Sequence, residues 1–250
     1  MTGRILSNRV GPVAQITLSS PTRKNALDAA MWSHLAAEVQ RLDADDSVRV
    51  IEIRGDGSDF STGVDLVAAW ADRQGVNPSE LTTDAERAIT HAQTPTVAVL
   101  RGQCVGGGAM IACACDFRLA SSTSSIAVTP ARFGVIYPST SVRRLAHLCG
   151  PSVAKRLLIA SEVFSAHDAR AARLVDWVHS DDELDAAVEA FCAKLAELAP
   201  LSQAAAKEFI DGLGPAEETP LEATQRWERA AGSDPEQRAR LLGFLQRKRG

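Results

Sequence analysis

The segment "TPTVAVLRG" (94–102) runs directly into "QCVGGGAMIACACD" (103–116), so a β-branched run reaches three glycines and an apolar helical stretch begins at once. This order limits the fold to one in which a strand end and a helix start meet at bare backbone. Glycines allow a ligand or another segment to approach the main chain closely. The first amides of the following helix lack intrahelical partners, and the macrodipole adds partial positive charge there. Such a junction can hold a phosphate, a carboxylate or an oxyanion. A Walker-type phosphate loop would need Lys and Ser/Thr after the glycines, and a dinucleotide fingerprint needs G-x-G-x-x-G; the sequence has neither. Close helix–strand packing accounts for the glycines equally well.

Around this junction, "VAQITL" (13–18), "RVIEIRG" (49–55), "TVAVLRG" (96–102), "DFRLA" (116–120) and "SIAV" (125–128) read as strands. Leu27, Met31, Leu35, Val39 and Leu42 recur at helical spacing, which predicts an amphipathic helix over 27–42. A second helix is expected over 79–92, after a loop carrying Gly75 and Pro78. From about residue 139 the pattern turns almost wholly helical: 139–150, with Gly150 as the stop, 151–160, with Pro151 at its first position, and 165–174, capped by Ser165. Further helices are expected over 181–198, 201–213, 220–231 and 234–248. The expected architecture is α/β, with a repeated ββα core over 1–195 and a C-terminal helical oligomerisation region over 196–250.

The 250 residues carry a net charge of −4. That balance argues against nucleic acid as the main partner, because phosphate backbones need a basic face. No apolar run is long enough to cross a bilayer, and "MTGRILSNRVGP" lacks the apolar core of a signal peptide, so a cytoplasmic location is expected. Five cysteines, Cys104, Cys113, Cys115, Cys149 and Cys192, lie in apolar stretches without metal-ligand spacing. They read as buried reduced thiols, and no metal is expected.

A second stretch, "GDGSDFSTGVDL" (55–66), also follows a strand and places Ser61, Thr62 and Gly63 before Val64. Two strand-end amides converging on one point would form an oxyanion hole. "KNALD" (24–28), "FSTGVDL" (60–66), "GQCVGGGAMIACACDFRLAS" (102–121) and "GFLQRKRG" (243–250) together resemble the enoyl-CoA hydratase/isomerase, or crotonase, superfamily, in order from about residue 10 onward. The resemblance implies a trimer or a pair of trimers and an acyl-CoA thioester substrate. It places the two oxyanion amides at Val64 and Gly107. It also implies that Lys24 and Ala26, with the Ser61, Gly63, Asp65 and Leu66 stretch, bind CoA, and that Phe244 and Lys248 reach the CoA of a neighbouring subunit. No cofactor beyond the CoA moiety is implied.

The family's hydratases use two glutamates. One position is Met110 here and the other aligns with Pro130, and no acidic residue occurs between Asp116 and Glu162. Neither side chain carries a proton, so ordinary hydration is not expected. "TPARFGVIYP" (129–138) resembles the methylmalonyl-CoA decarboxylase branch, in which a tyrosine follows the glycine. That points to Tyr137, although the histidine this branch carries is Val64 here. Three readings stay open: decarboxylase-like lyase chemistry with Tyr137, a hydratase or isomerase drawing its carboxylate from elsewhere, such as Glu86, and a non-catalytic acyl-CoA-binding protein. Glu86, Arg87 and His91 are otherwise expected on a solvated helix face. Arg143 and Arg144 are candidates for anion or subunit contacts, and Asp65 for ordering its own turn.

Overall fold

The structure is a computed structural model that describes residues 3–65 and 78–211, together with residues 230, 233–235 and 239. Its main sheet has six strands in the order β1 (Arg4–Val10), β2 (Val13–Ser19), β3 (Val50–Gly55), β4 (Thr96–Leu100), β6 (Phe117–Ser121) and β9 (Trp177–His179). Only β1 runs antiparallel to its neighbour; the other pairings are parallel. A second sheet joins β5 (Gln103–Val105), β7 (Ser125–Ala127) and β8 (Val163–Ser165).

Parallel strands buried on both faces read as continuous apolar runs, and the period of two decides which residue meets which layer. Ile51, Ile53, Ala98 and Leu100 face the larger core. It also takes Met31, Trp32, Leu35, Val39 and Leu42 of helix α1 (Ala29–Asp43) and the helix α3 (Gly107–Ala114). Helix α2 (Pro78–His91) packs beside α1 and α3 on the same side. Val50, Val97, Val99 and Leu119 face the other way, onto Leu184, Val188, Cys192 and Leu195 of α7 (Asp181–Ala196). The remaining helices are α4 (Pro130–Phe133), α5 (Ser139–Leu158), α6 (Ala166–Ala171) and α8 (Pro200–Asp211).

Most of the expected elements are present, with four corrections. The strand expected over 96–102 breaks after Leu100, and the chain leaves the main sheet for the small one through Gly102 at φ 49°. Leu27 precedes α1 rather than starting it: Asp28 is the N-cap, its carboxylate accepting from the Met31 amide at 3.0 Å, while Leu27 forms a parallel bridge with Val64. The N-terminal strand β1 carried no signal because nearly all of it is exposed, leaving no apolar face to mark a period. The region after residue 139 also contains β8 and β9, each three residues long and too short to show alternation. The break at Gly150 (φ 80°, ψ 155°) within α5 and the Ser165 cap on the Asp168 amide match the expected stop and start. The helices expected over 220–231 and 234–248 lie almost entirely outside the described residues. Among the described residues no helix is long and apolar enough to cross a membrane.

Candidate active site

Three loops are knitted together by main-chain bonds at the C-terminal ends of β3 and β4. The turn after β2 is a short 3-10 segment, Pro21–Arg23, followed by Lys24 and Asn25 in the left-handed region at φ 50° and 54°. Asn tolerates this conformation better than most residues. Here the side chain also secures the turn. Asn25 is fully buried; its Oδ1 accepts from the Ser20 amide at 2.9 Å, and its Nδ2 donates to the carbonyls of Asp56 (2.9 Å) and Asp59 (2.7 Å). Ser61 Oγ donates to the Asn25 carbonyl at 2.6 Å and accepts from the Gly63 amide at 3.0 Å. Asp65, also buried, pairs with Arg23 and so ties the turn to the loop. Sequence reasoning missed Asn25 as an organiser, because an Asn before an apolar run looks like any turn residue.

This lacing fixes where the free amides point. The Leu27 amide donates to the Gly63 carbonyl (2.7 Å) and the Asp65 amide to the Leu27 carbonyl (2.9 Å), so the bridge uses the residues on either side of Val64. A bonded edge of this kind leaves the intervening N–H on the opposite edge. The Val64 amide has no acceptor among the described residues, and neither has Gly107, the first residue of α3. The two segments touch. A β-carbon on Gly63, which sits at φ 82°, would overlap the Gly107 amide nitrogen and lie 2.8 Å from Gly107 Cα. On Gly108 it would overlap the Ser61 carbonyl oxygen. The consecutive glycines therefore serve close approach of two backbones, on two segments that each carry an amide without an acceptor among the described residues.

Among the residues expected around CoA, Lys24, Ala26, Ser61, Gly63 and Asp65 belong to this junction, Lys24 exposed and Ala26 buried. Leu66, Phe244 and Lys248 lie outside the described residues.

The side chains nearby are mostly apolar. Met110 is 1% exposed within the core, and Pro130 opens the short helix α4. The half-buried Tyr137 reaches the site: a β-carbon on Gly106 would lie 3.3 Å from its hydroxyl oxygen. Burial, with a smaller contribution from the negative charge of Glu86, pushes its phenol up to about 12. Glu86 corrects the expectation of a solvated helix face. It is 2% exposed, accepts from Ser141 Oγ at 3.0 Å and pairs with Arg144, which settles the Arg144 side chain on an internal partner. Burial raises the Glu86 carboxyl above its ordinary range, and Arg144 and Ser141 act against that rise. Arg87 and His91 do line an open groove of about 610 Å³ between α1 and α2, away from Glu86. Cys104, Cys113, Cys115 and Cys192 are buried and Cys149 is half-buried; burial raises all five thiols, Cys113, Cys115 and Cys192 to about 12. No group of three potential metal ligands occurs among the described residues.

A family model described as enoyl-CoA hydratase/isomerase matches residues 8–249 of the chain. Carnitinyl-CoA dehydratase from Salmonella typhi is 30% identical over 226 residues, covering 89% of this chain and 84% of that protein. (E)-benzylidenesuccinyl-CoA hydratase from Thauera aromatica is 29% identical over 199 residues, 78% of this chain and 77% of the relative. Among solved structures, an enoyl-CoA hydratase/carnithine racemase from Magnetospirillum magneticum superposes with a TM-score of 0.89 at 29% identity, covering 97% of this chain and 92% of that one.

Two measurements check this geometry. Gly108→Ala must push α3 away from the Ser61 carbonyl. A loss of about 1–3 kcal/mol in urea denaturation is expected from such overpacking. Tyr137 is the only tyrosine in the chain, so absorbance at 295 nm titrates it alone. With the folded phenol near 12 and an unfolded tyrosine near 10, the folded state holds its proton longer. Its contribution to stability is complete below about pH 10 and is lost as pH rises toward 12. No tyrosinate signal is expected at pH 10 while the chain stays folded; a midpoint at 10 in the folded protein would contradict the burial.

Proposed function

From its place in the enoyl-CoA hydratase/isomerase family, to which the chain belongs, we propose that this protein binds an acyl-CoA thioester and stabilises its enolate between the amides of Val64 and Gly107, by lyase rather than hydratase chemistry. The observation that carries the reading is the pair of unsatisfied amides on two touching loops. Donors held in place where charge develops need no reorganisation during reaction. Lys24, Ala26, Ser61, Gly63, Asp65 and Leu66 form the CoA path, and Phe244 and Lys248 add to it from a neighbouring subunit.

The chemistry follows from the protonation states. Met110 and Pro130 offer no acid or base at the two positions where the family resemblance expects glutamates. Tyr137 holds its proton at neutral pH, so it is a donor and not a base. Decarboxylation of a malonyl-type thioester suits this set. The bond between the α-carbon and the carboxylate carbon breaks and CO₂ leaves. The electron pair enters the enolate, whose oxygen the two amides hold. Tyr137 then gives its proton to the α-carbon and recovers one from water.

Glu86 favours a second reading. It is a buried carboxylate with a raised proton affinity whose charge is felt at Tyr137, so hydratase or isomerase chemistry would draw its proton carrier from there.

The chain works as a trimer or a pair of trimers, with residues 196–250 as the helical oligomerisation region. Light scattering at micromolar concentration is expected to give at least a trimer mass, and a monomer mass would refute this.

The reaction is tested by comparing methylmalonyl-CoA with crotonyl-CoA. Decarboxylation is expected, with crotonyl-CoA hydration near background. Tyr137→Phe is expected to lower kcat by a factor of about 10²–10⁴ with CoA-ester affinity almost unchanged, because the ring still packs. Rapid crotonyl-CoA hydration by the wild type, lost in Glu86→Gln, would establish the second reading instead.

A further inference from the structure

Arg118 stands on β6, where the register sets it opposite Ala98, on the sheet face that carries Ala98 and Ala120 into the larger core. A charge is unusual on that face, and Arg118 is only 3% exposed. Its guanidinium lies at the C-terminal end of α3. Nη1 donates to the Cys115 carbonyl at 2.7 Å and reaches the Ala112 carbonyl at 3.5 Å. Carbonyls at a helix end lack the donors that the next turn would supply, and a cation there also meets the negative end of the macrodipole. Nη2 donates to Asp176 Oδ2 at 2.8 Å, and the same oxygen accepts from the Arg118 amide at 2.8 Å, while the Asp176 amide donates to the Arg118 carbonyl at 3.0 Å. One arm of the fork thus grips the helix, and the other is fixed to the segment that leads into β9.

Stability alone does not account for this arrangement. Buried ion pairs can often be replaced by apolar residues without loss, and the buried Arg118 Nε has no hydrogen-bond partner. What a planar fork adds is geometry, because it sets both the distance and the angle of the groups it joins. The opposite end of α3 shows what that angle controls. All eight residues of the helix are buried, and its N-cap, Gly106, offers no side chain to orient the first turn. Gly107 and Gly108 meet the backbone of Gly63 and Ser61 there. A tilt or slide of the helix at Ala112 and Cys115 is carried through two turns to the Gly107 amide. Nor is the guanidinium a source of field at that amide, roughly 8–12 Å away along the axis. Asp176 pairs with Arg118 and Asp116 with Lys207, so the charges at this end of α3 balance.

We propose that Arg118 is a positioning residue for the oxyanion site: its fork between α3 and Asp176 sets the tilt and depth of α3, and with them the aim of the Gly107 amide. The inference rests on the thioester reading and deepens it, since Arg118 acts through Gly107.

The test is the infrared band of acetyl-CoA labelled with carbon-13 at the thioester carbonyl, bound to the full chain. Hydrogen bonds to the carbonyl oxygen move this band to lower wavenumber, and the wild type is expected to show that shift. Arg118→Lys keeps the charge and loses the fork. It is expected to lose a large part of the shift, with acetyl-CoA affinity by calorimetry at most about 10-fold lower, in line with one hydrogen bond. With an ester that the wild type turns over, kcat is expected to fall further, by up to about 10²-fold. Asp176→Ala keeps the arginine and removes its anchor, and Asp176 is partly exposed, so this is the milder change. Leu184→Ala, in the opposite core, is a control for lost stability alone and is expected to keep the wild-type band. A wild-type band in folded Arg118→Lys would overturn the proposal; if that variant does not fold, a wild-type band in Asp176→Ala would do so. An equal loss of shift in Leu184→Ala would also overturn it, because general loosening would then explain the effect. A wild type that binds acetyl-CoA without any shift refutes the oxyanion reading, and one that does not bind it refutes the thioester reading; the proposal falls with either.

Discussion

The close contact between Gly63 and the start of α3 is the constraint on which the site depends. Two main chains can approach this closely only where neither carries a side chain, and the left-handed Gly63 is set against Gly107 and Gly108. Several main-chain groups around the contact are bonded. Gly63 gives its carbonyl to Leu27, Ser61 gives its carbonyl to Val105, and Gly106 gives its amide to Ala127. Against these satisfied neighbours, the Val64 amide and the first amides of α3, Gly107 among them, have no acceptor among the described residues.

The distribution of charge follows the same economy. Met110 extends the apolar lining, and Glu86, a buried carboxylate of α2, is held by Ser141 and Arg144. Burial works against the charge of this carboxylate, and the Arg144 charge, followed by the hydrogen bonds from Ser141 and Arg144, opposes that cost. Its charge still reaches Tyr137, helping to keep the phenol protonated. The site thus combines fixed donors with a proton that leaves only at high pH. That combination suits chemistry in which the substrate supplies the electrons.

How much of this could be read in the amino-acid sequence depends on whether a feature leaves a period or a conformational demand. The β-branched runs of β2, β3 and β4 and the apolar stripe of α1 are legible because burial repeats at fixed spacing. Gly106 to Gly108 are legible because only glycine fits, and Gly150 before Pro151 because the pair ends one helix and starts another. Asn25 was not legible. Its importance lies in partners far along the chain, the carbonyls of Asp56 and Asp59. Glu86 was misread for a related reason. Helical periodicity tells that α2 has two faces, but not that α5 would cover the face carrying a carboxylate.

The N-terminal strand has a consequence of a different kind. β2 is buried on alternate residues and pairs with β3 through one edge; without β1 its other edge would present a row of unpaired amides and carbonyls. β1 closes that edge over its full length, from Arg4 opposite Ser19 to Val10 opposite Val13, and offers to the outside a strand bearing Arg4, Ser7, Asn8 and Arg9 beside the exposed Leu6 and Val10. Charged, polar edge strands are how sheets avoid pairing with each other in solution. The least patterned of the described strands is therefore a cover for the open edge of β2, with its charged and polar residues turned outward among two exposed apolar ones.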